Sequence, residues 1–495
     1  MSSDRSPSPF AGDADAILAR LRDLRSADAP THGGKVLSYV YDSGLAALDE
    51  LAAAAARAVQ PVNGLDPTVF TSVAIMEREL ITFARNAFHG PDAVGSVTSG
   101  GTESCLLAVK SARDHGSHTD RGSIVAPTTA HAAFIKAAHL LDVDLIRVPV
   151  DPESTAVAPE AVAAALREDT FLIVASAPNY PTGVADPIAD LASLALDRGI
   201  ALHVDACLGG FALAWWPEAI APWDFAVPGV TSISADLHKY GYSPKGSSVL
   251  LHADRDRHRA QYFATTDWPG YPVVNPTLLG SRSAAGLAAA WAIVNYLGDD
   301  GFATLVADIA RAASALRATI DGIDGLRVVG DPVGPVFAVA ADAASAPVDP
   351  HRWARAVGEA GFELQLQPSF AQPDGTALPA TTHLTVTPVT ERVVDELSTA
   401  LVDAAQRVRG TAPAQPPAAL AALATALDSG DAVLDDLLAL PSAVTGELLV
   451  AAGIDPHDAD GELDMPAIVA AVEALPRPVT AKMLTEFLAL FTNPA

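Results

Sequence analysis

Cysteine is scarce: the chain has two in 495 residues, Cys105 and Cys207. Two cysteines cannot form a disulfide framework, so a reducing compartment is expected. Basic residues are also few, with 31 Lys and Arg against 59 Asp and Glu and a formal charge of −28. That balance argues against nucleic acid as a partner, because phosphates would be repelled rather than neutralised. It disfavours docking on anionic lipid as well. The mean hydropathy is positive, +0.25, yet much of it comes from alanine. No uncharged, strongly apolar stretch reaches the roughly 18 residues of a membrane span. Leu51–Ala56 lies between Asp49-Glu50 and Arg57. The opening MSSDRSPSPFAGDADAI has no apolar core for a signal peptide. A cytoplasmic protein without a membrane anchor is therefore expected.

The length suits two to four domains at roughly 100–200 residues each. Residues 1–12 are polar and rich in Ser and Pro, a composition that favours disorder. The first 60 residues form an N-terminal segment that reads, from residue 13, as helix, loop, helix. Between 61 and 300, apolar runs alternate with helical stretches: Ser123–Ala126, Leu145–Val148, Phe171–Ser176, Ala201–Val204, Ser232–Ala235 and Ser248–Leu251. This alternation predicts an α/β domain with a large, mostly parallel sheet. Gly286–Leu297 reads as a helix leading out of it. Residues 301–409 predict a smaller α+β domain, with helices at Phe302–Ile320, His351–Gly361 and Thr390–Val408 and strands at Leu326–Val329, Val336–Ala341 and His383–Thr387. The Pro-rich stretch 410–417 is a linker. Residues 418–495 predict an all-helical, acidic C-terminal extension, with twelve acidic residues against two basic.

The strongest local pattern is Ser234-Ala-Asp-Leu-His238-Lys239-Tyr240-Gly-Tyr242-Ser-Pro-Lys245-Gly246. A lysine following a strand can form a Schiff base if burial or neighbouring cations lower its pKa. Taken alone, such a lysine is more often a solvated surface residue. Thr98-Ser99-Gly100-Gly101-Thr102 precedes the helical run Cys105–Arg113. Its glycines let the backbone approach an anion, and the helix N-terminus favours negative charge. The alternative is an ordinary capped turn. Asp205 ends the apolar strand Ala201–Val204, where open α/β sheets bind ligands. A buried aspartate there needs a cationic partner, and a protonated pyridine nitrogen would serve.

These segments occur in the order glycine loop, carboxylate, lysine. The chain resembles the pyridoxal-phosphate-dependent group II decarboxylase-like superfamily, and within it the sphingosine-1-phosphate lyase branch. The resemblance is carried by Gly34-Lys-Val, SGGTESCLLAVKSARD (99–114), AHAAFIKAAHLLDVDLIRVPVD (130–151), SAPNYPTGVADPI (176–188), HVDACLGGF (203–211), GVTSISADLHKYGYSPKGSSVLL (229–251), TDWPG (266–270) and NPTLLGSR (275–282). It implies a PLP-dependent transferase-like fold of type I, pyridoxal 5'-phosphate as cofactor, and a homodimer with its active site at the interface. It also implies roles for individual residues. Lys239 would carry the Schiff base, and Asp205 would pair with the pyridine nitrogen and keep it protonated. His131 would stack on the ring, and Gly101, Thr102 and His238 would hold the phosphate. Gly280 and Ser281 would reach that phosphate from a partner subunit. Tyr41 and Lys245 would lie at the substrate, Lys245 as a residue important for activity. Without the resemblance, His131 reads better as a helix cap or packing residue.

Two departures stand out. Asn63-Gly-Leu-Asp66-Pro67 places Asp66 where the branch commonly has a histidine near the substrate phosphate. A carboxylate would repel a phosphate unless a cation intervened. The run after Gly280-Ser281-Arg282 reads Ser-Ala-Ala-Gly rather than Pro-Gly-Gly. The resemblance therefore implies a lyase that cleaves a phosphorylated long-chain amino alcohol by a retro-aldol reaction. Amino-acid decarboxylation is the alternative, with Arg282 a candidate carboxylate partner; an inactive scaffold is the second. Other patterns are set aside. Asp458-Ala-Asp460-Gly461 imitates a calcium loop, but Pro456 and Ala467 fill its essential carboxylate positions. The histidines lack zinc-ligand spacing, so no metal site is expected. Trp215-Trp216 reads as packing.

Overall fold

The structure, a computed structural model, describes residues 12–116, 121–342, 346–455 and 463–492. The opening residues to 11 and most of the calcium-loop imitation, 456–462, lie outside them. Seven strands form the main sheet: β1 (Val94–Thr98), β2 (Ser123–Pro127), β3 (Asp144–Val148), β4 (Thr170–Ser176), β5 (Ala201–Asp205), β6 (Ser232–Ala235) and β7 (Ser248–His252). Their spatial order is β1-β7-β6-β5-β4-β2-β3. Pairing is parallel from β3 through β6, and only β7 runs against its neighbours β1 and β6. Every residue of β2, β4, β5, β6 and β7 is buried. Helices on both faces require this, and it explains why these strands read as unbroken apolar runs.

The six predicted strands are all present. β1 was not predicted, because Val-Gly-Ser-Val-Thr lacks a continuous apolar run. Its glycine answers to its neighbour: a Cβ on Gly95 would lie 2.2 Å from the Leu250 carbonyl oxygen of β7. The predicted helices at Gly286–Leu297 and Phe302–Ile320 are two arms of one element, Ala285–Asp321, which turns at Gly298 with φ 54°. Trp215 stacks on Phe302 at 4.7 Å between centroids, and Trp216 is buried, as packing residues.

A second, antiparallel sheet joins Leu326–Val328, Val336–Ala341, Thr381–Thr385 and Gln365–Gln367 in that spatial order. Lys35–Leu37 runs along its Glu363 edge, with the Leu37 N–H donating to the Glu363 carbonyl (2.9 Å). The hairpins Phe263–Thr265 with Val273–Asn275, and Phe370–Ala371 with Ala377–Leu378, were not predicted. The C-terminal helices from Ala418 onward have their own core around Leu420, Leu449, Leu475 and Met483. They attach to the rest through Arg355 and Asp464 (2.7 Å) and through Arg477, which lies over the Phe370 ring (4.2 Å). Among the described residues, no helix is long and apolar enough to cross a membrane.

Candidate active site

The carboxyl ends of the sheet strands converge. β1 delivers Gly100–Thr102, β2 leads to His131, β4 ends at Ser176, β5 ends at Asp205, and β6 leads into Asp236, His238 and Lys239. All of these line one cavity of about 380 Å³, together with Tyr180, Cys105 and Cys207. This is the strand edge at which open α/β sheets bind ligands. Six of the predicted residues thus meet: Gly101, Thr102, His131, Asp205, His238 and Lys239.

Asp205 is buried and accepts from the Cys207 N–H (3.0 Å) and from the Ser234 hydroxyl (3.5 Å). It forms no ion pair with the described residues. His203, two residues earlier, bonds Ser232 and Ser234 (2.9 and 3.1 Å). Burial pushes its pKa down to about 4, so it stays neutral and cannot balance the charge. A buried carboxylate without a cation costs several kcal/mol unless a partner arrives. A protonated ring nitrogen is such a partner.

Opposite it, the Lys239 ammonium lies 2.8 Å from Asp236 Oδ2, and His238 Nε2 lies 3.5 Å from the same oxygen. Burial works against charge on Lys239, but Asp236 outweighs it and holds the amine well above its usual range. Burial likewise raises Asp236, and Lys239 and His238 together bring it below its ordinary value. Asp236 Oδ1 is buried without a hydrogen-bond partner. The pattern reading missed Asp236, although an acid three residues before the lysine was visible in it. Tyr180, stacked on His383 at 4.4 Å, was missed too; the available sign was an aromatic just past the end of β4.

The glycine loop is tightly fitted. Gly100 has φ 154°, and a Cβ on Gly101 would lie 2.8 Å from both Asp236 oxygens and from Cys207 Sγ. Only glycine fits, and the first turn of the helix Gly101–His115 presents its N–H groups here. His131 both caps and faces the cavity: its Nδ1 accepts from the Ala133 N–H (3.2 Å) while its ring lines the wall.

Tyr41 and Lys245 sit beside this cavity rather than in its lining. Lys245 Nζ lies 4.4 Å over the Tyr41 ring and donates to the His238 carbonyl (3.1 Å). Burial and the nearby Lys239 push Lys245 down to about 8, against the pull of Asp236. Tyr41 is pushed up to about 12 by burial, with Lys239 opposing.

Asp66, Gly280 and Ser281 do not line the cavity. Asp66 is exposed and accepts from the Thr68 N–H (2.9 Å) and hydroxyl (2.6 Å), ahead of the helix Thr71–Ala87. Ser281 Oγ accepts from Asn63 (3.2 Å), and Gly280 is exposed. Arg282 is occupied: it donates to the Gly64 and Val97 carbonyls (3.2 and 3.1 Å) and pairs with Glu77 (3.4 Å).

A model of the pyridoxal-dependent decarboxylase conserved domain matches residues 69–331. The chain belongs to this family. Its fold is fold type I of the pyridoxal-phosphate enzymes. The chain is 39% identical over 332 residues to sphingosine-1-phosphate lyase 1 of Rattus norvegicus, covering 65% of this chain and 58% of that protein. It is 42% identical over 285 residues to the lyase of Dictyostelium discoideum, covering 57% and 54%. The chain thus spans little more than half the length of these two relatives. A solved sphingosine-1-phosphate lyase of Burkholderia pseudomallei superposes with a TM-score of 0.74 at 32% identity, covering 82% of this chain and 93% of that one. The decarboxylase-family cofactor, pyridoxal phosphate, fits the residues present: an uncompensated Asp205, a half-buried lysine in the cavity wall and a loop with no room for a Cβ beside helix N–H groups.

Proposed function

We propose that the chain is a pyridoxal-phosphate-dependent lyase that cleaves a carbon–carbon bond in a phosphorylated long-chain amino alcohol, giving an aldehyde and an aminoalkyl phosphate. The observation that supports the lyase over a decarboxylase is similarity of 32–42% identity to three lyases. A solved glutamate decarboxylase of Lactobacillus brevis shares the fold at 18% identity.

The cofactor, when bound, supplies an electron sink next to the amine-bearing carbon of the substrate. Lys239 is the residue to hold it through Nζ. Asp205 would hold the proton on the ring nitrogen, its carboxylate favouring the protonated ring against the desolvation that burial imposes. His131, in the cavity wall, would pack against the ring, and Gly101 and Thr102, at the helix N-terminus, would hold the phosphate with His238. Lys245 accepts the proton of the hydroxyl next to the breaking bond. Of the two lysines it is the better base near neutrality, since Asp236 keeps Lys239 charged until the cofactor engages it. Tyr41 flanks the substrate side, its ring under the Lys245 amine.

A homodimer goes with this reading. Gly280 and Ser281 are exposed and follow the exposed Leu278 and Leu279, and Trp268 and Tyr271 in the preceding hairpin turn are exposed too, apolar surface suited to a second copy. From that copy, Gly280 and Ser281 would reach the neighbouring phosphate site. Asp66 would meet the substrate side only through such an assembly. We place the enzyme in the cytoplasm, on the ground that both cysteines are free and buried. We also propose residues 61–300, 301–409 and 418–495 as its domains, after the N-terminal segment 1–60.

Decarboxylation is weakened by Arg282, whose guanidinium is committed to Glu77 and two carbonyls rather than to a substrate carboxylate. The deciding experiment offers the cofactor-loaded protein a long-chain base phosphate and, separately, a panel of amino acids. Aldehyde release is expected; carbon dioxide release would replace the lyase reading with decarboxylation. A protein that stays colourless with excess cofactor would sink both and leave the scaffold.

A further inference from the structure

Cys105, Asp205 and Cys207 come together in the wall of the cavity. The two sulfurs and a carboxylate oxygen all lie within 4.8 Å of one another, and all three residues are buried. They arrive from two rigid elements. Cys105 lies one turn into the helix Gly101–His115, while Asp205 ends β5 and Cys207 lies two residues beyond it. The spacing along the chain hid this cluster, because Cys105 and Cys207 meet only through the order of the sheet strands. Both thiols are free. Behind them, the Ser234 hydroxyl accepts from Cys207 Sγ (3.1 Å) and is within 3.5 Å of Asp205, which fixes the donors from the rear.

The Asp205 carboxyl forms no ion pair among the described residues. With the cofactor ring in place, the ring nitrogen balances it. Without the ring, the carboxylate faces two thiols and an open cavity. Two sulfurs and one carboxylate suit a borderline-soft divalent cation, and not magnesium or calcium, which prefer all-oxygen shells. Zinc bonds sulfur at about 2.3 Å and oxygen at about 2.0–2.2 Å, so tetrahedral donors sit roughly 3.3–3.8 Å apart. Side-chain rotations that draw the donors in by about 1 Å would reach that spacing. The fourth position would open into the cavity, toward water.

We propose that the cofactor-free chain binds one zinc-class cation through Cys105, Asp205 and Cys207, in a site that cofactor and metal cannot occupy together. The cation site stands on the geometry of the three donors. The mutual exclusion rests on the reading that Asp205 serves the cofactor's ring nitrogen.

The test strips the cofactor from the full-length protein with hydroxylamine, adds zinc sulfate alone and desalts. One retained zinc per chain is expected, with both thiols shielded from a maleimide until a chelator is added. Zinc-loaded protein should regain its visible band with pyridoxal phosphate at least tenfold more slowly than the metal-free protein. Cofactor-loaded protein should retain no zinc. Cys105→Ala and Cys105→Ser should each lose the retained zinc, and their own return of the visible band in zinc-free buffer reports that they are folded. No retained zinc overturns the proposal, as does equal retention by a Cys105→Ala/Cys207→Ala double variant. Equal retention with cofactor bound overturns the exclusion. A chain that retains zinc through these cysteines yet never forms a visible band would keep the metal site and remove the cofactor reading.

Discussion

Asp236 Oδ2 lies 2.8 Å from Lys239 Nζ, so the lysine that follows β6 is held as an ammonium by an acid one turn before it. An ammonium is not a nucleophile, and the amine must lose its proton before it can bond a carbonyl carbon. The ion pair therefore sets how readily the empty site captures its cofactor.

Asp236→Asn should speed that capture. Without the carboxylate, the largest influence raising Lys239 is gone and burial acts against only the smaller pull of Tyr41 and Cys207, so its pKa falls and the neutral amine fraction at pH 7 rises. Stopped-flow recording of the visible band is expected to show faster uptake in the variant at pH 7, with its rate–pH curve displaced toward acid. Unchanged curves would mean that Asp236 does not control the protonation of Lys239.

Lys245 should set the ascending limb of catalysis. Burial, then repulsion from Lys239, push it down to about 8. As a base it works only when neutral, so kcat should climb through pH 8 and level off above it. Lys245→Arg keeps a positive charge at every accessible pH. It should lower kcat by roughly 10²–10⁴-fold, the usual contribution of a general base, and abolish the limb while leaving KM little changed. A variant that instead raises KM and keeps the limb would make Lys245 an anion-binding group and return the base role to another residue.

Much of this site was readable because its chemistry is short-range. Gly100, Gly101 and Thr102 are consecutive, and Asp205 and Lys239 each end or follow an apolar strand, so local pattern marked both the residue and the strand edge. β1 escaped because its residues serve close packing against β7 rather than apolar continuity. Asp236 escaped because its importance is a pairing with Lys239 and not a motif of its own. The Cys105–Asp205–Cys207 cluster depends on strand order, which single-chain spacing does not encode. Asp66 stands out in the pattern, yet in the folded chain its carboxylate is spent on Thr68. Whether Gly280 and Ser281 reach a phosphate is a property of two chains.

Asp186 makes stability depend on pH. It is buried behind Ser176, accepts from the Ser176 N–H (2.8 Å), and is pushed up to about 7, chiefly by burial, with Asp205 adding to the rise and that N–H opposing it. A carboxyl raised in the folded state binds a proton that the unfolded chain has released. Its stabilising contribution is complete below about pH 4 and is lost as the pH rises toward 7. Asp186→Asn keeps an acceptor for Ser176 and removes the titration. Thermal melts at pH 5 and pH 8 should show a smaller drop in Tm across this interval for the variant than for the parent. Equal drops would place the pH dependence elsewhere.

Gln372 ties the two-stranded hairpin Phe370–Ala371 with Ala377–Leu378 to the main sheet. It is buried, and its Oε1 accepts from the Val150 N–H (2.9 Å) and the Thr128 hydroxyl (2.5 Å) while its Nε2 donates to the Val150 carbonyl (2.7 Å) and the Thr376 hydroxyl (2.9 Å). Phe370, two residues away, lies between Arg147 of β3 and Arg477 of the C-terminal helices, at 4.9 and 4.2 Å. One side chain thus connects the loops that follow β2 and β3 to a hairpin braced by the tail. Gln372→Leu fills the space but leaves the Val150 N–H and carbonyl without partners, at about 1–3 kcal/mol for each stranded group. Urea unfolding should show a loss of about 2–6 kcal/mol. Thr128 lies on the loop that carries His131, so the variant should also raise KM while Lys239 still takes up the cofactor. If both KM and the unfolding midpoint stay at parental values, Gln372 is not a structural link between the hairpin and the main sheet.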